Sequence, residues 1–432
     1  MASKLTRRHF LGSSAASATA LSLGVPRLSV RSTLAATNLN WAVSAWAPTE
    51  TSLVEQVIQN FESGNAEITV DVLGYDPNTY DQKLLADIAA GTLPDIFVSA
   101  DIYTKPFFDS ELTADLKPFM DQTGPKVEDF DQKFIELAMY DGKVGFLPRA
   151  ADVVVLYFNK RIFDEGGVAY PTEDWTLDDL MSAAEALTKK ADDGTVTQYG
   201  FTANYTWWAY WVPLVVAQGG QILNKDNTEA VFNSPEGISA WDFIFSGIKN
   251  EFFVPPSVQT TMGGEYVPFA NGICAMTPTI RGLTPSFRDQ LTDDWDVTLV
   301  PKGTVDRKTG MGTMGYAISS QTENVEAAWE VLRYTFTEGM KVFMETYLLV
   351  PPITSFYDDP TWKSLPGPPY NNDIFVKATE TAMLPPSLPF YSTGPFRQAM
   401  LDGLDAVVLE QMTTEDAVNR MADEATKALQ AG

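Results

Sequence analysis

The sequence predicts an α/β protein built as two lobes. Three observations carry that expectation. Strand and helix patterns alternate along most of the chain, the alternation restarts twice, and no flexible or low-complexity linker separates the series. The 432 residues suit two or three domains, and lobes without a linker should share several chain crossings.

The first series opens with NLNWAVSAW, an alternating strand ending near Trp46. Leu53, Val54, Val57, Ile58 and Phe61 then recur at the spacing of one helix face, predicting a helix over Ser52 to Phe61. EITVDVLGY alternates with period two and reads as a second strand. Tyr80 to Ala90 is helical again, and GTLPDIFVSA supplies a turn followed by a buried strand. Such alternation is the signature of a parallel sheet.

The second series starts in VGFLPRAADVVVLYFNK, where Val153 to Phe158 is long enough for a buried strand. Helices follow over Thr176 to Lys190 and Pro235 to Lys249. The first opens with Thr176-Leu-Asp-Asp, a variant of the capping box, and the second with proline. A third series contains DVTLVP, MGYAISS and a helix over Asn324 to Phe336. The tail from Thr414 to Leu429 is an amphipathic helix carrying Ala417, Val418, Met421, Ala425 and Leu429.

Charge and rare residues exclude several functions. The first 38 residues hold five basic residues and no acid, which leaves 25 basic against 56 acidic residues, about −31, for the remainder. A field of that sign repels nucleic acid and anionic membranes, so neither is an expected partner. Halophilic adaptation is the other reading of such acidity, and the ready use of lysine speaks against it. The only histidine is His9 and the only cysteine Cys274. Without the leader, histidine-based nucleophilic catalysis, histidine-ligated zinc and intramolecular disulfides are excluded. Paired-carboxylate chemistry stays open. Cys274, in the apolar stretch GICAM, reads as a small core residue. No metal or cofactor is expected.

Residues 1–36 read as a signal peptide. LTRRHFLG places two arginines before Phe10 and Leu11, a mildly apolar run follows from Ala15 to Val25, and Leu34-Ala35-Ala36 suits cleavage. The arginine pair resembles a twin-arginine export signal, with an ordinary secretion signal as the alternative. No later stretch approaches 18 apolar residues, and no cysteine marks a lipid anchor, so the expected product is exported, soluble and unanchored.

Six blocks in order carry a family resemblance: LLADIAAGTLPDIF, DGKVGFLPRAADVVVLYFNK, PTEDWTLDDLMSAAEALTK, FNSPEGISAWDFI, FANGICAMTPT and YAISSQTENVEAAWEVLRYTF. Together they resemble extracellular solute-binding proteins of the maltose-binding, sugar-type family, with Phe158 standing where the family has tyrosine. The resemblance covers about residues 41–430. It implies a type II periplasmic-binding protein fold whose two α/β lobes are joined by hinge crossings near Leu147 to Ala151, Gly312 to Tyr316 and Leu348 to Ile353. Lobe one would be 39–149 plus 316–348, and lobe two 150–315 plus 349–430. The implied function is the substrate-binding subunit of an ABC importer, a periplasmic or extracytoplasmic monomer that delivers a sugar to the permease's transmembrane subunits. It would catalyse nothing.

A sugar offers C–H faces to aromatic rings and hydroxyls to charged or amide groups. Tyr205 to Trp211 holds five aromatics in seven residues. Trp211 shares a helical face with Val215 and reads as core, while Trp207 and Trp208 are stacking candidates at the start of a helix whose early Pro213 suits only a first turn. Ser99 and Asp101 lie at the end of the strand DIFVSA, where open sheets bind ligands. Trp46 ends the first strand, as a stacking face or as core, and Glu50 reads as an acid at a helix N-terminus. Arg149 and Asp152 flank the first crossing, either as ligand contacts or bridging each other or the hinge. Gly312 and Gly315 flank the second, as hinge residues or as tight strand ends. The resemblance adds Arg281 and Tyr391 to the cleft. Two alternatives remain: an exported carboxylate-based glycosidase or lyase using Asp101 and Asp152, and a binding protein for a sugar acid or other anion using Arg149 and Arg281.

Overall fold

The computed structural model describes residues 37–44, 48–76, 79–150, 152–346, 349–384 and 394–431. The expected signal peptide, Trp46, Ala151, Leu348 and Tyr391 lie outside them.

Strands β1 (Thr37–Ser44), β2 (Ile68–Tyr75) and β3 (Ile96–Ala100) alternate with helices Pro48–Gly64 and Tyr80–Ala90. A hairpin of β4 (Met139–Tyr140) and β5 (Lys143–Val144) leads to β6 (Leu147–Pro148), β7 (Asp152–Val153) and β8 (Val155–Asn159). Then come β9 (Lys189–Lys190), β10 (Val196–Phe201), β11 (Cys274–Thr279), β12 (Trp295–Thr298), β13 (Thr309–Gly312), β14 (Met314–Ile318) and β15 (Ala382–Met383).

These strands form two five-stranded sheets with a small sheet between them in the chain path. The first runs β2-β1-β3-β14-β6, the second β12-β8-β11-β10-β9, and the third β15-β13-β7. In the first sheet the expected parallel order holds only for β2, β1 and β3, because β14 enters antiparallel to β3 and β6 antiparallel to β14. The second sheet is mixed for a similar reason: β10 and β11 are parallel, while β8 runs antiparallel to both β11 and β12. Strands that arrive by crossing between sheets need not keep the direction that βαβ units impose.

Burial follows the layers. Leu39, Trp41, Phe97, Val153, Met311, Trp295 and Phe375 belong to one continuous apolar cluster, which runs from the first sheet through the third to one face of the second. The opposite face of the second sheet packs Phe158, Trp211 and Trp241 with Met400 and Met421 of helices Gly394–Val408 and Thr414–Ala431.

Two crossings lie side by side. The segment carrying β6 and β7 pairs with the one carrying β13 and β14: Leu147 opposes Tyr316, Pro148 opposes Gly315, Asp152 opposes Gly312 and Val153 opposes Met311. Arg149 N–H donates to Met314 O at 2.9 Å, Thr313 Oγ1 to Ala150 O at 2.9 Å, and Val154 N–H to Gly310 O at 3.0 Å. The crossings thus form one antiparallel ribbon. Near the expected third crossing, Ile353 bridges Phe130 and Asp131 N–H donates to Pro352 O, so this segment still packs on the first lobe's elements.

Candidate functional site

Asp101 follows directly on β3 and opens a 3₁₀ turn, Asp101–Tyr103. Its N–H donates to Thr313 O at 3.2 Å, and its Oδ2 accepts from Thr313 N–H at 3.0 Å. The carboxylate at the end of the first sheet is therefore fixed to the ribbon. Ser99 lies within β3 opposite Gly315 and is buried.

Gly312 is the meeting point. A Cβ built there would lie 3.4 Å from Asp101 Oδ2 and 3.8 Å from Trp208 Cζ2. Asp152 is its antiparallel partner, and opposed residues project to the same face of a ladder. An indole and two carboxylates thus surround the space that a side chain at Gly312 would occupy. The Asp152 side chain is half-buried. Burial pushes its carboxyl above the ordinary range, and the Arg149 charge pulls the other way. Gly315 has a different task. A Cβ on it would overlap the Leu147 carbonyl oxygen and the Phe146 ring, so this glycine permits close approach of β14 and β6.

Trp208 reaches this point through its helix. Helix Trp208–Ala217 begins earlier than the expected first turn at Pro213, with Trp207 as its N-cap and Pro213 in its interior. Proline has no N–H to give the Ala209 carbonyl. There Gly310 of β13 passes so close that a Cβ on it would overlap Ala209 O. The helix is thereby seated on the ribbon at the turn that carries Trp208.

The aromatic run divides as its neighbours dictate. Trp211 is buried against Phe232 and Trp241, with ring centroids 5.2 and 5.6 Å away. Tyr205 is buried and donates its hydroxyl to Val254 O at 3.0 Å. Trp207 and Trp208 stay half-buried. The loop before them is braced by polar groups that no local pattern announced. Asn204 Nδ2 donates to Glu265 Oε1 at 2.6 Å, Thr206 Oγ1 to Asn204 Oδ1 at 3.1 Å, and Gln259 Nε2 to Ala203 O at 2.9 Å.

Arg149 does not bridge to Asp152 in an ion pair. Its guanidinium pairs with Glu50 of helix Pro48–Gly64, and both side chains are buried. Glu50 does lie in the first helical turn, as its position suggested, but its partner is an arginine 99 residues away. Tyr316 adjoins the pair: burial raises its hydroxyl's pKa, the Arg149 charge opposes that shift, and its ring meets Trp41 edge-on at 4.7 Å. Arg281, expected along the cleft, is 1% exposed. It donates to Asn372 Oδ1 at 2.8 Å and stacks on Trp362 and Phe375, with its guanidinium carbon 4.2 and 4.9 Å from the ring centroids. That packing places it in the interior of the second lobe. A cavity of about 40 Å³ behind helix Trp208–Ala217 is lined by Leu156, Leu180, Phe201 and Pro213. It has room for a few waters and not for a sugar ring. Among the described residues no cluster of His, Cys, Asp and Glu could hold a metal ion, and no helix is long and apolar enough to cross a membrane.

The profile of the bacterial extracellular solute-binding protein family matches residues 46–342, more than half of the chain. The chain belongs to that family. Among curated relatives of this solute-binding protein, a binding protein of Brucella abortus is 27% identical over 334 residues, 74% of this chain and 76% of the relative. An arabinooligosaccharide-binding protein of Halalkalibacterium halodurans is 25% identical over 60% of this chain and 57% of its own. Among solved structures, an ABC substrate-binding protein of Listeria monocytogenes in complex with cycloalternan superposes with a TM-score of 0.80 at 24% identity, covering 91% of this chain and 99% of that one. The fold is therefore that of the periplasmic binding proteins, and the family consists of binding proteins rather than enzymes.

Proposed function

We propose that this solute-binding protein is the extracytoplasmic substrate-binding subunit of an ABC importer and takes a sugar or oligosaccharide between its lobes. The observation that carries the reading is the convergence of Trp208, Asp101 and Asp152 over the bare Cα of Gly312, where first lobe, ribbon and second lobe meet. The indole offers a flat apolar face to sugar C–H groups, and the carboxylates accept hydrogen bonds from hydroxyls. Trp207 and the Asn204–Glu265 pair brace the loop that leads into Trp208. The carbohydrate ligands named for the relatives from Halalkalibacterium and Listeria agree with this chemistry. The cycle is binding and release without turnover: the sole histidine is His9, and Asp101 is engaged by the ribbon. The leader's arginine pair directs export, and the protein works as a monomer beside its permease.

Calorimetry of the full chain against maltotriose, arabinotriose and diacetylchitobiose tests the reading, with thermal shift as a second readout, since a ligand raises Tm by mass action. Saturable binding of at least one sugar, weakened by Trp208→Ala, is the expected result. Binding of peptides or polyamines with no response to any sugar would remove the assignment.

A further inference from the structure

The anionic-solute alternative turns on Arg149, the only basic residue between Leu147 and Asn159. Such a crossing could offer a guanidinium to a carboxylate-bearing solute. The structure turns that guanidinium elsewhere. It is buried, ion-paired with Glu50, beside the Tyr316 hydroxyl and within the field of Asp152. Glu50 is itself 1% exposed and contributes no surface to the space over Gly312.

We propose that Glu50 is a specificity-determining residue: by holding Arg149 inside the protein, it leaves the Gly312 site to uncharged sugars and closes it to sugar acids. This rests on the sugar-binding reading above. With Glu50 and Asp152 ionised, the three groups Glu50, Arg149 and Asp152 sum to −1, and Asp101 adds a further negative charge at the same place. An incoming carboxylate meets that field beside the half-buried Asp152 and Trp208, where unit charges about 7 Å apart at an effective dielectric of about 40 change affinity by roughly sevenfold each. Glu50 acts through Arg149 and is a positioning residue, not a ligand contact.

The test compares the full chain with Glu50→Gln and with the double variant Glu50→Met/Arg149→Met. Calorimetry would use maltotriose, arabinotriose and diacetylchitobiose as neutral probes, and glucuronate and trigalacturonate as acidic ones. The native protein should bind a neutral probe and neither acid. Glu50→Gln should keep neutral binding within about threefold while gaining roughly five- to tenfold for an acidic probe. A purely structural role would weaken both kinds of probe and give no such gain. Removing one partner of a buried pair can prevent folding, whereas replacing both with apolar residues is tolerated more often. The double variant should therefore fold, keep neutral binding and still refuse acids. A folded double variant that loses neutral binding a hundredfold would make Arg149 a ligand anchor and overturn the proposal. So would acid binding by the native protein, or the absence of a gain in folded Glu50→Gln. If a neutral probe binds in any of these cases, the sugar reading survives. If no neutral probe binds at all, that reading falls and takes this inference with it.

Discussion

Gly312 and Gly315 stand three residues apart on the same ribbon, and alanine should affect them in opposite ways. At Gly312 the added methyl lies 3.4 Å from Asp101 Oδ2 and 3.8 Å from Trp208 Cζ2, which is ordinary contact. The backbone there is not in the left-handed region, so Gly312→Ala mainly restricts the unfolded chain and stabilises by about 0.4–1 kcal/mol. In the bound state the same methyl occupies the floor of the proposed site. Overfilling a fitted contact by a methyl costs about 1–3 kcal/mol, or roughly 5- to 150-fold in Kd. At Gly315 the methyl overlaps the Leu147 carbonyl oxygen, so β14 and β6 must separate. Gly315→Ala should therefore lower stability by at least about 1–3 kcal/mol. Differential scanning calorimetry of both variants, with isothermal titration against the best sugar, separates the two roles. A Gly312→Ala protein with native Kd and an equal or higher Tm would show that the solute does not rest there. If it melted as early as Gly315→Ala, the reading of the ribbon's geometry would be wrong.

Trp208→Ala should weaken sugar binding by roughly 2–3 kcal/mol, the lost ring contact plus its buried area, with little change in Tm; titration calorimetry checks it. Trp211→Ala should instead lower stability by about 3–5 kcal/mol, because that ring is fully buried. Asp152→Asn should raise Tm at neutral pH. A carboxyl whose folded pKa is raised stabilises the fold only while protonated, so its benefit is present below the unfolded value of about 3.9 and lost as pH rises through the higher folded value. The stability difference between Asp152→Asn and the native protein should therefore vanish in scans below about pH 4. Cys274 is fully buried and burial pushes its thiol well above the usual range, so it should resist alkylation until the protein unfolds, as a denaturant series with a thiol reagent would report.

The elements written locally in the sequence emerge where local chemistry placed them. Tyr80–Ala90 ends at the left-handed Gly91, and Pro235–Lys249 starts behind the Ser234 cap. Thr176 and Asp179 form the expected capping box, but their helix stops at Leu187 because Lys189 and Lys190 pair with β10 as a short strand. What could not be read locally depended on partners far along the chain. Nothing near Arg149 points to Glu50, and nothing near Asn204 points to Glu265. Strand direction in both sheets is set by which segment crosses and returns, which an alternation of patterns does not encode. The candidate site was half legible: Asp101, Asp152 and the two tryptophans stand out by residue type. Their meeting at Gly312 exists only because the ribbon brings them to one place.

That ribbon also limits how the molecule can move. Its two crossings are zipped by backbone hydrogen bonds from Tyr316 and Leu147 through to Gly310 and Val154. Neither strand can swing without dragging the other. A paired two-stranded band flexes out of its own plane and twists far more readily than it shears, so relative motion of the lobes has few soft directions. A bulky residue or a proline placed in either strand would break their pairing and so loosen both, even though the strands are joined only through the whole second sheet's worth of sequence.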